Sequence, residues 1–140
     1  MKIRESAGPN TGMELPPKIF KAMQGQFLES VEDQSLTVRF PVKERYSNPF
    51  GCMQGGMIVA AMDNTLGPLS LLLLPPSITT YVNTRFIGSV EMTYEFIHAT
   101  DFMVKITPMQ VDLRAEVKSP GGKLLATCTS SSAVMRRLKG

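Results

Sequence analysis

Asp63 is the residue whose placement most asks for a chemical account. It stands inside the run from Met57 to Leu74, which is otherwise almost wholly apolar. A carboxylate there is costly to desolvate unless it is hydrogen-bonded or put to use. Seven residues before it lies the pair Gly55-Gly56. If a helix starts at that pair, its first amides are unpaired donors reinforced by the helix dipole. The absent side chains leave the approach open to an anion or to an oxygen that becomes negative. Close packing at a helix start would select glycine equally well. For Asp63 the competing reading is a carboxylate bonded to Ser, Thr or backbone within the core. At the helical rise Asp63 sits roughly 10 Å along the axis from the glycines, too far for both to act on one carbonyl. If both are catalytic, the glycine amides of one protomer must face the Asp63 of another. That predicts an obligate dimer, with two such sites related by a two-fold axis.

The elements that would position these groups follow from periodicity. Leu15-Pro16-Pro17 opens a short helix with Ile19, Phe20 and Met23 on one face, and Gly25 ends it. The period then changes to two, from Phe27 to Val31 and from Leu36 to Val42, which predicts a hairpin with one buried face. Lys43 to Phe50 is a polar connection. On the central helix Ile58, Ala61, Met62, Thr65 and Leu66 form one side, while Gly56, Val59, Ala60, Asp63 and Gly67 form another. Almost no face is solvent-like, so the helix should be buried all round. Its small-residue side would admit a close neighbour, and Pro68 should bend its last turn.

After Pro75-Pro76 period two returns. One strand carries Thr80, Val82, Thr84 and Phe86 on one face, with Thr79, Tyr81, Asn83 and Arg85 on the other. The next runs from Met92 toward Ile106 with an irregularity around His98 to Asp101. Met109 to Val117 alternates cleanly, and Ser119-Pro120-Gly121-Gly122 turns the chain into a last strand over Lys123 to Met135. The order is that of an α+β protein, with one antiparallel sheet curled around one helix.

Composition bounds the function. The 140 residues suit one domain, with a loose arm over residues 1–14 and a folded unit over 15–140. A net charge of +3 allows an anionic ligand, and without a dense basic run it does not suggest nucleic acid. Arg136, Arg137 and Lys139 read as a solvated tail. Asp63, Asn64 and Gly67-Pro68 interrupt the long apolar run, so a buried helix accounts for it better than a membrane span. Cys52 and Cys128 form no CxxC and join no His/Cys cluster, so neither a disulfide framework nor a metal site is expected. Reduced thiols in a cytoplasmic protein fit best.

Asn48, Gly51, Gln54-Gly55-Gly56 and Asp63-Asn64 together resemble the signature segment of the hot-dog-fold acyl-CoA thioesterases, in particular the 4-hydroxybenzoyl-CoA and phenylacetic-acid-pathway group. That signature has Asn, six residues on His-Gly-Gly, and nine residues after the His an Asp or Glu on the central helix. Both spacings are present here. Thr79-Thr80-Tyr81 with Asn83 and Phe86-Ile87, and Gly122 to Ala126, resemble later strands of the same group. The resemblance implies a hot-dog fold: a curved antiparallel sheet wrapped around one long helix. It implies an acyl-CoA thioesterase acting as a homodimer or homotetramer, with CoA present only as part of the substrate and no cofactor. Asp63 would be general base or nucleophile. The Gly55 or Gly56 amide would hold the thioester oxygen, Asn48 would position substrate or water, and the hydroxyl of Thr79 or Thr80 would orient water.

Gln54 departs from the pattern, since it stands where the group usually has His. Its amide can donate a hydrogen bond and cannot carry a proton at neutral pH. A non-catalytic acyl-CoA-binding module is therefore an alternative. A hot-dog hydratase or dehydratase is a poorer one, because that chemistry needs a His in the motif and the only histidine is His98.

Overall fold

The computed structural model describes residues 15–32 and 34–135. The arm expected over residues 1–14 and the basic residues Arg136, Arg137 and Lys139 lie outside the described residues.

Pro17 precedes a helix of little more than one turn, α1 (Lys18–Ala22). Its Phe20 ring stacks on Phe27 with centroids 4.8 Å apart and meets Phe40 edge-on at 5.9 Å. Gly25 lies under this cluster. A Cβ there would stand 2.6 Å from the Phe20 ring, so any larger residue would have to push the Phe20 and Phe40 rings aside. Phe20 and Met23 are buried, whereas Ile19 stays exposed.

Strands β1 (Gln26–Val31) and β2 (Ser35–Pro41) form the expected hairpin. Leu36, Val38 and Phe40 alternate into the core. A short 3-10 turn, Glu44–Tyr46, leads to the central helix α2 (Gly55–Leu73). Strands β3 (Ser77–Phe86), β4 (Phe96–Thr107), β5 (Gln110–Lys118) and β6 (Leu124–Val134) follow. The sheet has six strands in the order β1-β2-β4-β5-β6-β3, and every neighbouring pair is antiparallel. It wraps one face around α2.

Three expectations change. Met92 and Tyr94 belong to a turn segment, and β4 begins only at Phe96. Its irregularity falls between Met103 and Lys105, so the stretch from His98 to Asp101 is regular strand. The helix is also not buried all round. Ile58, Ala61, Met62, Thr65, Leu66 and Leu69 pack on the sheet. The side carrying Gly56, Val59, Ala60, Asp63 and Gly67 is left uncovered in the single chain, with Gly56 and Asp63 exposed. The helix continues through Pro68 to Leu73. Its other polar residues bond within their own helix: Asn64 Nδ2 donates to the Ala60 carbonyl (2.8 Å), Thr65 Oγ1 to Ala61 (2.9 Å) and Ser70 Oγ to Gly67 (2.8 Å). In length and composition α2 would suit a membrane span, yet its apolar side is the packing surface of the sheet.

Candidate functional site

Two groups of site residues lie at separate places on this frame. The first surrounds the start of α2. Asn48 Oδ1 accepts hydrogen bonds from the backbone amides of Phe50 (2.9 Å) and Cys52 (3.0 Å). These close a side-chain-capped turn that Gly51 completes at φ +79°, a conformation suited to glycine. The turn delivers the chain to Gln54, whose amide donates to the Tyr46 carbonyl at 2.7 Å. The Gln54 carbonyl in turn accepts from Met57 (2.9 Å) and Ile58 (3.2 Å). The N–H groups of Gly55 and Gly56 are thus left without a backbone acceptor among the described residues, as the first amides of a helix are. The Gln54 side chain makes no capping bond and is exposed.

Asn48 and Gly55 line one cleft of about 340 Å³, together with Cys52, Ile58, Phe86 and Ile87. Phe86 and Ile87 expose half of their surface there. The cleft therefore joins an apolar rim to helix-start donors. Phe50, at the tip of the Asn48 turn, is 89% exposed. Met62 and Leu74 are core, and Met57 is half-buried. Arg85 stands at the end of β3 beside Asn83 and Thr127, where a shallow groove of about 390 Å³ also reaches Arg114.

The second group lies further along. Asp63 is exposed on the uncovered face of α2 and makes no hydrogen bond among the described residues, so it is not a core carboxylate held by Ser, Thr or backbone. The protein around it removes enough water to raise its carboxyl above the ordinary aspartate value. Asp63 does not line the cleft at Gly55. Thr79 and Thr80 lie at the opposite end of β3 from Phe86, roughly 20 Å away at the rise of a strand.

A bulge between Thr79 and Tyr81 changes the predicted faces of β3. Thr79 pairs with Ser132 and Val82 with Ser130, so Thr79 and Val82 share one side of the sheet and Thr80 is the extra residue. Thr80 Oγ1 is already committed to the Ser131 carbonyl at 3.1 Å. Of the two hydroxyls, Thr79 is the one that remains available.

His98 lies beside Phe96, with ring centroids 5.1 Å apart, and pairs with Arg39 across to β2. Arg39 alternates with the buried Val38 and Phe40, so both residues occupy the face turned away from α2. Partial burial and the Arg39 charge lower the His98 pKa. Both cysteines are free. Cys128 is buried, and desolvation first and the Asp101 charge second push its thiol up to about 12, so it stays protonated at neutral pH. Among the described residues no cluster could hold a metal ion.

Two residues escaped the sequence reading. Cys52 lines the cleft because the Asn48 turn folds back on the helix start. Asp101 is fully buried. Its signal was present in the alternation Ile97, Ala99, Asp101, which a regular strand turns toward the helix.

Neither a protein-family model nor a curated protein sequence matches the chain. Solved structures do. A phenylacetic acid degradation-related protein of Ralstonia eutropha JMP134 superposes with a TM-score of 0.80 at 22% identity, over 88% of this chain and 94% of that one. The PaaI protein of the Escherichia coli phenylacetic acid degradation operon gives 0.79 at 13% identity, over 86% of each chain. The fold is the hot-dog fold. A thioesterase of Haemophilus influenzae shares this hot-dog architecture with a TM-score of 0.78 at 16% identity, over 89% of this chain and 87% of that one.

Proposed function

We propose that this hot-dog protein is an acyl-CoA thioesterase whose site is completed across a dimer. The observation that carries the reading is the division of the site. Of the unpaired helix-start amides at Gly55 and Gly56, that of Gly55 belongs to a residue lining a cleft beside Asn48, while the desolvated carboxylate, Asp63, sits on an uncovered helix face out of their reach. The edge position of β3 supports the assembly. Its outer side has no neighbour in the sheet, and Ile78, Tyr81 and Phe86 are each more than half exposed along it. An edge of that length invites pairing with a second copy. Antiparallel pairing of two β3 strands would lay two α2 helices side by side in opposite directions, so that each helix start meets the other's Asp63. Solved relatives of the fold named as thioesterases point to the same reaction class.

In this mechanism the Asp63 carboxylate takes a proton from a water molecule as the water oxygen bonds to the thioester carbon. The carbonyl electron pair moves onto oxygen and is held by the partner's Gly55 and Gly56 amides. When the carbonyl re-forms, the C–S bond breaks and the sulfur leaves with the proton from Asp63, giving free acid and CoA. A raised carboxyl suits this work, since a base is most effective when its pKa approaches the working pH. Asn48 Nδ2 and the Gln54 side-chain amide are free to orient the thioester, and Thr79 to orient water. In the alternative covalent route Asp63 attacks the carbon directly. The single histidine stands on the far side of the sheet, which disfavours a hydratase.

The reading is tested by thiol release from a panel of acyl-CoA esters of varied chain length and aromatic character, with turnover of at least one ester expected. Gln54, which cannot relay a proton, favours one second reading, an acyl-CoA-binding module. Tight binding with no thiol release on the whole panel would establish that instead.

A further inference from the structure

Arg85, near the end of the edge strand β3, is a cation with nothing to balance it. Among the described residues no hydrogen bond or ion pair engages its guanidinium. Arg85 and Asn83 are exposed on the side of the sheet turned away from α2, whereas Val82 and Thr84 alternate with them toward the helix. The register sets Arg85 opposite Thr127 and Thr127 opposite Glu116. One row along stand Asn83, Thr129 and Arg114. These six residues line the groove of about 390 Å³ on the outer face. Thr127 and Thr129 form its floor on β6, and its walls come from β3 and β5, roughly 10 Å apart at the spacing of neighbouring strands.

The hydroxyls of Thr127 and Thr129 and the side-chain amide of Asn83 likewise make no hydrogen bond among the described residues. Elsewhere on the same face polar side chains hold one another. The Thr37 and Thr100 hydroxyls share a bond of 2.9 Å. Ser131 Oγ donates to Asp112 at 2.8 Å, and Gln110 Nε2 reaches both. On the far wall of the groove Arg114 is fixed in place: its guanidinium lies 4.1 Å from the Phe102 ring centroid, and Nη1 donates to Glu116 at 3.2 Å. Glu116 is the one carboxylate lining the groove, and Lys118 meets it from the other side at 3.9 Å. Its charge is therefore answered within β5. The groove keeps the whole guanidinium of Arg85, the remaining N–H groups of Arg114 and three uncommitted polar side chains.

We propose that this groove binds the phosphate group of a small phosphate monoester. The forked guanidinium of Arg85 matches two phosphate oxygens, and the threonine hydroxyls of the floor donate to the third. A carboxylate would occupy the Arg85 fork and leave the floor and Arg114 unmatched. The volume admits a small organic ester as well as its phosphate. Two arginines in one groove fall short of the extended basic track that a nucleic acid backbone requires. The groove lies on the opposite face of the sheet from the cleft at Gly55, so the inference stands apart from the thioesterase reading. Pairing of two β3 edges through their backbones would leave both outer faces open. The phosphate has two possible sources, the ribose phosphate of a CoA molecule or a separate phosphorylated metabolite.

The test is a nitrogen–proton NMR titration of the full chain with inorganic phosphate, against sodium chloride at matched ionic strength. The Nε–H signals of Arg85 and Arg114 and the amides of Thr127 and Thr129 should shift together and saturate. Arg85→Gln should weaken the apparent Kd about tenfold. Thr129→Val should weaken it less. Both side chains are exposed, so both variants should keep the wild-type melting temperature. Shifts that chloride reproduces, that fail to saturate, or that Arg85→Gln leaves at the wild-type midpoint overturn the proposal. CoA and dephospho-CoA, which lacks the ribose phosphate, then separate the two sources. If CoA moves the groove signals at lower concentration than dephospho-CoA, the phosphate is that of CoA. If the two act alike or not at all while inorganic phosphate still saturates the groove, the ligand is a separate phosphorylated molecule. No arm depends on thiol release, so a chain that hydrolyses no acyl-CoA is tested equally.

Discussion

Gly55, the first residue of the central helix, rests against the ring of Phe86 at the end of the edge strand: a Cβ on Gly55 would lie 3.2 Å from the Phe86 Cζ. This contact fixes the helix start against the edge strand of the sheet. Gly56 differs, since a Cβ there would meet nothing within 4 Å. Packing in the single chain explains Gly55 and leaves Gly56 unexplained. Gly55→Ala should therefore cost stability, about 1 kcal/mol for the overpacked contact, and Phe86→Leu should relieve it. Gly56→Ala should leave stability unchanged or raise it by up to about 1 kcal/mol through helix propensity, while lowering kcat/KM. Thermal unfolding beside thiol-release kinetics separates the two.

A site shared between protomers predicts complementation. Homodimers of Asp63→Asn, and of a variant with the helix start blocked, Gly56→Val, should each be nearly inactive. Refolding the two together creates hybrids in which one of two sites has an intact Asp63 facing intact glycines, so roughly a quarter of wild-type activity should return. Additive, near-zero activity after mixing would place both groups in one chain.

The two thiols should differ sharply toward alkylation. Cys52 lies on the cleft, and its modification should block substrate and inhibit. Cys128, buried and with its thiol pushed up to about 12, should survive intact in the folded protein. Peptide mapping after a limited exposure to iodoacetamide reads both outcomes.

Asp101 also makes a prediction about stability and pH. Its folded-state pKa is raised, so between the ordinary value of 3.8 and the folded value the native protein binds more protons than the unfolded chain. Its contribution is fully present below the unfolded pKa and is lost as pH rises through the folded one. The melting temperature of Asp101→Asn relative to wild type should therefore climb steadily as pH rises from about 4 toward neutrality.

Much of the fold was legible because period two and period 3.6 are set by burial on one face. Leu36, Val38 and Phe40, and Val111 through Val117, alternate as the sequence says they must. The start of α2 was legible from Gly55-Gly56 for a different reason, the absence of side chains at a helix start. Four features were not. Tyr94 continues the alternation of β4 but belongs to a turn, because periodicity does not mark where pairing begins. The bulge at Thr80 depends on register with β6, a long-range property, and it decides which threonine hydroxyl stays available. The helix looked buried all round because composition reports what a residue can bury against, and it does not say whether the covering surface belongs to the same chain. Asp101 was overlooked because it stood in a stretch read as irregular, where a carboxylate attracts no attention.

In the proposed mechanism Asp63 is the group that drives thioester cleavage. The decisive measurement is the pH dependence of thiol release for wild type and Asp63→Asn on one acyl-CoA that the wild type turns over. The wild-type rate should fall on the acid side at a pH above the ordinary aspartate range, because Asp63 works ionised and burial raises it. Asp63→Asn should lose about 10²–10⁴-fold in kcat at every pH while its melting temperature holds. An Asp63→Asn enzyme that keeps wild-type turnover and the same acid limb would contradict a catalytic Asp63.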